Sequence, residues 1–169
     1  MVNWGEVELP GFDAPLVAVT PERREALAAN VRELIADAKK SRSAAKWPEP
    51  LAPDEARAVA AGCALCRGYC CSKAGDAAYL NPVTIKRIRS QQPHLTEDEL
   101  VSAYLDAVPE RAFEGSCIFH AADGCSLSPS MRSNVCHAYL CTPLRTGVSA
   151  AVRKSPAAAP ILFASRAVG

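Results

Sequence analysis

Cys63-Ala64-Leu65-Cys66-Arg67-Gly68-Tyr69-Cys70-Cys71 packs four thiols into nine residues, and the reading of this chain starts from what such a density can serve. Four more follow at Cys117, Cys125, Cys136 and Cys141, so all eight fall inside a 79-residue window with none on either side. A chain of 169 residues can bury a core without cross-links, so the thiols are not needed merely to fold it. An even count permits four disulfides. The start, Met1 to Pro15, has neither a basic n-region nor an apolar h-region, so a reduced, cytoplasmic chain is expected. In that setting a dense cysteine set reads as metal binding or redox chemistry.

The rest of the composition excludes more than it assigns. Of the 49% hydrophobic residues, 31 are alanines, while aromatics are only two Trp, four Tyr and four Phe. That balance favours helices with thin apolar faces over a β-sandwich. A net charge of +1 argues against nucleic-acid binding by bulk charge. No apolar run nears the roughly 20 residues of a membrane span. The sequence has no Gly-x-Ser-x-Gly elbow, phosphate-cradling glycine loop or dinucleotide fingerprint, so no catalytic residue is assigned.

Residues 1–19 show no sustained period. Thr20-Pro21-Glu22 is a helix start, and Leu27, Val31, Leu34 and Ile35 form one apolar stripe on a helix running to Arg42. Trp47 to Pro53 is a proline-punctuated connector. Asp54 to Ala61 reads as a short helix stopped by Gly62. Asn81-Pro82 opens another helix carrying Ile85 and Ile88, and Thr96 to Glu99 is a capping box ahead of Leu100, Tyr104, Leu105 and Val108. Ser116 to His120 and Cys125 to Leu127 read as a hairpin about Ala121-Ala122-Asp123-Gly124, with one cysteine on each strand. A short helix over Met131 to Leu140 presents Cys136. The expected layout is an N-terminal extension with one amphipathic helix (1–50), a cysteine-cluster metal-binding domain (51–147) and a loosely ordered tail (148–169). The expected fold is mainly α with a small β-hairpin, stabilised by metal as one cysteine-rich domain.

A C-x-x-C pair such as Cys63 and Cys66 suits zinc, redox and cluster sites alike. The adjacent Cys70 and Cys71 say more. A zinc ion holds its sulfurs roughly 3.8 Å apart, given Zn–S bonds of about 2.3 Å, and neighbouring side chains on an extended backbone diverge. The two thiols are therefore expected to serve different metals, or different irons of one wide cluster. Two arrangements follow: two zinc sites sharing eight thiolates four and four, or an iron–sulfur cluster taking four. Arg67, Lys73, Arg132 and Arg145 stand near the thiols and can moderate their negative charge. His120 and His137 read as neighbours of the thiols rather than ligands, and His94 carries no signal.

The cysteine pattern resembles the CxxCxxCC putative zinc- or iron-chelating domain family, the YkgJ-like cysteine-cluster proteins. The resemblance rests on Cys63 to Cys71, Ser116-Cys117-Ile118-Phe119, Gly124-Cys125-Ser126-Leu127 and Arg132 to Cys141, with Asn81 to Ile88 similar to the helix that follows the double cysteine. Three residues precede the double cysteine here, Arg67, Gly68 and Tyr69, where the family's pattern has two. The resemblance implies a small iron–sulfur or zinc binder, and a related domain in a flagellin lysine methylase connects such modules with methyl transfer. Cys63, Cys66, Cys70, Cys71, Cys117, Cys125, Cys136 and Cys141 are the expected metal ligands. An iron–sulfur cluster is preferred over zinc, serving redox chemistry, sensing or structural support of a protein partner. The alternatives are a zinc-binding interaction module with two four-thiolate sites, or an accessory of a protein-modifying enzyme.

Overall fold

The computed structural model describes residues 5–44, 51–147 and 161–167. Three capped helices supply most of its order. Thr20 accepts a hydrogen bond from the Arg23 amide, and Pro21, which has no amide hydrogen to satisfy, begins α1 (Pro21–Lys40). Asn81 caps the Thr84 amide at 2.9 Å and Pro82 again takes the first position; α2 (Pro53–Cys66) lies earlier in the chain, and the helix opened here is α3 (Pro82–Gln91). Thr96 and Glu99 close the expected capping box at the start of α4 (Glu97–Asp106).

These helices bury the stripes their sequences carry. Leu27, Val31 and Ile35 of α1 are fully buried with Ile85 and Ile88 of α3 and Leu100 and Tyr104 of α4, while Leu34 packs at the margin. Each such side chain contributes roughly 1.5–3 kcal/mol by leaving water. Arg24 reaches across from α1 to the carbonyls of Leu105 and Val108, at 3.1 and 3.2 Å, and so ties α1 to the end of α4.

The strands are short. β1 (Gly5–Gly11) and β2 (Leu16–Ala18) occupy the stretch expected to be irregular; β2 pairs antiparallel with β3 (Arg111–Phe113). The hairpin exists but is smaller than expected: β4 (His120–Ala121) pairs with β5 (Gly124–Cys125) about an Ala122-Asp123 turn, with Gly124 at φ 105°. Cys117 lies outside it. Its amide donates to the Cys71 carbonyl at 3.0 Å and its carbonyl accepts from the His120 amide at 2.9 Å, so its backbone serves a turn rather than a ladder. The expected helix over Met131–Leu140 resolves into a 3₁₀ turn (Pro129–Met131) and α5 (Asn134–Ala138), which carries Cys136.

One correction concerns α2, and the tail is described only in part. Gly62 does not stop α2, which runs on to Cys66; Gly62 is buried inside it, and the stop comes at Arg67 and Gly68, both left-handed at φ 54° and 76°. In the tail, residues 148–160 lie outside the described residues. Residues 161–167 form β6 (Ile161–Ala167), which pairs in parallel with β1 from Gly5↔Ile161 to Gly11↔Ala167.

The chain divides into two compact units that interleave the segments 1–50 and 51–147. The first comprises residues 1–13, 49–70 and 139–169; the second comprises 14–48 and 71–138. The first holds β1, α2, a helical stretch at 142–147 and β6, around Val7, Leu9, Cys66 and Leu144. A Cβ on Gly147 would stand 2.7 Å from a Val7 methyl carbon, so the residue there must be glycine for that approach. The second holds α1, α3, α4, α5 and β2 to β5. The fold is thus mainly α with small strand pairs. No described helix is long and apolar enough to cross a membrane.

Candidate metal centres

The division into units falls between Cys70 and Cys71, and it parts the eight thiols four and four. Cys63, Cys66, Cys70 and Cys141 belong to the first unit. Cys63 and Cys66 are three residues apart on the last turn of α2, a spacing that puts both on one side of the helix. The pair thus sits on a helix end. The Cys66 thiol is buried and donates to the Cys63 carbonyl at 3.5 Å. Burial pushes the Cys63 thiol up to about 11, and repulsion from Cys66, Cys70 and Cys141 adds to the rise. Cys141 is raised as well, by burial first and then by Cys66 and Cys70, against a backbone hydrogen bond from Leu144 that lowers it. These four groups share one electrostatic neighbourhood.

Cys71, Cys117, Cys125 and Cys136 belong to the second unit. Cys71 and Cys125 pack at the edge of its apolar core, in which Cys117 is buried, and the Cys71 carbonyl accepts from the Cys117 amide. Burial pushes the Cys117 thiol up to about 12; Cys125 and Cys136 raise it further, while a Phe119 backbone bond and the Arg23 cation lower it. Cys70 and Cys71 sit in a 3₁₀ helix (Tyr69–Lys73), not on extended backbone. Three residues per turn set their side chains about 120° apart, which is the physical reason for their divergence.

Among the four basic residues singled out in the sequence, Arg132 binds the Leu127 and Cys125 carbonyls at 3.0 and 3.4 Å, and Arg67, Lys73 and Arg145 lie at the surface. His120 is buried against Phe113, with its Nδ1 2.8 Å from the Ser116 hydroxyl, and the His137 Nε2 lies 2.7 Å from the Pro129 carbonyl. Two residues that sequence reasoning missed stand close to the second quartet. Arg23 ties α1 to Asp76 at 2.6 Å and to the Ser116 carbonyl at 2.9 Å. Arg87 is buried and binds the segment preceding Cys136. No periodicity or motif marks either arginine, because both look like ordinary charges on amphipathic helices.

A cavity of about 530 Å³ lined by Lys39, Arg42, Lys86 and Arg89 also lies in the second unit. Most of its cations have structural partners: Lys86 donates to the Ser43 carbonyl at 2.8 Å, and Lys39 and Arg89 pair with Glu97 at 2.5 and 3.5 Å. It reads as a capped helix end.

None of the eight cysteines is in a disulfide. The donor chemistry of each quartet suits a thiophilic metal, whose binding requires deprotonated sulfur. Among the described residues no three His, Cys, Asp or Glu side chains are gathered closely enough to hold a metal ion as they stand. The quartets are thus defined by unit, electrostatic neighbourhood and backbone ties, and metal loading requires their thiols to draw together. No family model, curated protein or solved structure matches the chain.

Proposed function

We propose that this is a cytoplasmic cysteine-cluster metal-binding protein with two four-thiolate centres. One comprises Cys63, Cys66, Cys70 and Cys141; the other comprises Cys71, Cys117, Cys125 and Cys136. The observation that carries the reading is the four-and-four parting of the thiols between Cys70 and Cys71. It reverses the order of preference between metals. Two structural zinc ions give all eight thiols a task, whereas one iron–sulfur cluster leaves four without one. The iron–sulfur reading retains one support, the resemblance of the cysteine pattern to the YkgJ-like family. When bound, the metal supplies cross-links between segments far apart in sequence. The residues themselves position the sulfurs, and the metal would displace their protons as it binds. Exposed Leu65 and Tyr139 give the first unit apolar surface for a protein partner, which the metal-supported fold would present.

The test is metal and acid-labile sulfide analysis of anaerobically purified protein, repeated on Cys70→Ser and Cys71→Ser. Two zinc ions per chain, with each variant losing one and keeping the other, is the expected result. Iron with sulfide, lost together in one variant and retained in the other, would replace the zinc reading with a single cluster. Full metal content in both variants would sink ligation by this motif.

A further inference from the structure

Arginine is almost never fully buried without partners, yet Arg87 on α3 is 1% exposed. Its guanidinium is spread over one short stretch of chain. Nε donates to the Asn134 side-chain oxygen at 2.6 Å, Nη1 to the Ser130 carbonyl at 2.8 Å and Nη2 to the Arg132 carbonyl at 2.6 Å. A longer bond to Gln91 at 3.4 Å steadies it from its own helix. Those acceptors are neutral oxygens, and three of the four lie immediately before Cys136 on α5. Other α3 and α4 groups grip the same stretch: the Asn134 amide donates to the Thr84 hydroxyl at 3.0 Å, and the Tyr104 hydroxyl donates to the Met131 carbonyl at 3.0 Å. Ser133 adds a 2.6 Å bond to the Tyr79 carbonyl.

Resting on the two-centre reading above, we propose that Arg87 is a positioning residue of the second centre, holding residues 130–134 and so fixing Cys136 on α5 as the ligand toward which Cys71, Cys117 and Cys125 draw when metal binds. A planar fork with donors pointing three ways can meet three oxygens at once, which the single ammonium of lysine does not reproduce. Partners that orient metal ligands commonly set affinity as strongly as this, since their loss costs about 10–100-fold.

The experiment uses the full chain with its metal as purified. Transfer of each metal to a colorimetric chelator is followed in the wild type, Arg87→Met, Arg87→Lys and Asn134→Ala, with Cys71→Ser identifying the second-centre phase. Arg87→Met is expected to release second-centre metal about 10–100-fold faster while the first centre keeps its wild-type rate. Arg87→Lys should fall between the two, because it keeps charge and loses the fork. If Arg87→Met fails to fold, Arg87→Lys and Asn134→Ala carry the test, each removing only part of the clamp. Unchanged release in those variants would overturn the proposal, as would equal acceleration of both centres, the mark of a purely structural role. A wild-type chain that holds no metal would overturn the two-centre reading itself. That failure is told apart from failure of Arg87 alone, in which the wild type holds two ions and the variants keep both at wild-type rates.

Discussion

The two units differ in what fills them. The second buries three helix stripes together, with Leu27, Val31, Ile35, Ile85, Ile88, Leu100, Tyr104, Ile118 and Phe119 all at the centre. Among the described residues, the first buries Val7, Leu9 and Leu144 around a thiol, Cys66, with a second thiol, Cys141, packed beside them. Each unit buries one thiol, Cys117 in the second and Cys66 in the first, and among the described residues far less hydrocarbon surrounds the one in the first. With so little hydrocarbon to hold it, the first unit would gain most from a cation that binds its thiols. The second unit has a core adequate to hold its helices, and its quartet is an addition to a fold already made.

The largest expected effect follows from that contrast. Stripping metal with a strong chelator should erase amide-exchange protection in α2 and β1 while α1, α3 and α4 keep theirs, as read by mass spectrometry. Loss of protection in both units together would show that the second core is not self-sufficient. A smaller, opposite effect comes from Leu27→Ala, which empties the centre of the second unit and should cost about 2–5 kcal/mol in denaturant melts. Protection in α2 should survive that substitution under native conditions. The smallest effect is a pH dependence carried by Cys117. Its folded value of about 12 lies above the roughly 8.5 of an unfolded thiol, so the folded chain keeps a proton that the unfolded chain gives up. Its contribution is complete below about pH 8.5 and is lost as pH rises toward the folded value. Thermal melts of the metal-free protein should therefore fall between about pH 8 and pH 11, and Cys117→Ala should flatten that fall; an identical slope in the variant would assign it elsewhere.

How much of this was legible in the sequence varied with the range of the interactions involved. The helices with caps were legible, because Thr20-Pro21, Asn81-Pro82 and Thr96 to Glu99 act within one turn of themselves. The end of α2 was not: a glycine is a reasonable stop, but burial of Gly62 overrode it and two left-handed residues ended the helix later. The hairpin slipped because the Cys117 amide found a partner at Cys71, 46 positions earlier, which no local pattern announces. The alternation Val7-Glu8-Leu9 was present but brief, and its parallel partner lies more than 150 residues away. The eight candidate ligands were visible as cysteines. Their sorting into quartets was visible only in the adjacency of Cys70 and Cys71, and Arg87 was hidden among the ordinary charges of an amphipathic helix.

The pairing of β1 with β6 also has a consequence in the order of synthesis. Residues 161–167 leave the ribosome on the order of ten seconds or more after residues 5–11, at usual elongation rates. Throughout that interval β1 has no strand beside it, while every segment of the second unit has already been made once residue 138 is out. The segments of the helical unit are thus complete before β1 gains its partner, and the first unit finishes last. Cys63, Cys66 and Cys70 are made well before Cys141, so under the proposed reading a metal arriving early would find three thiols of the first quartet without the fourth.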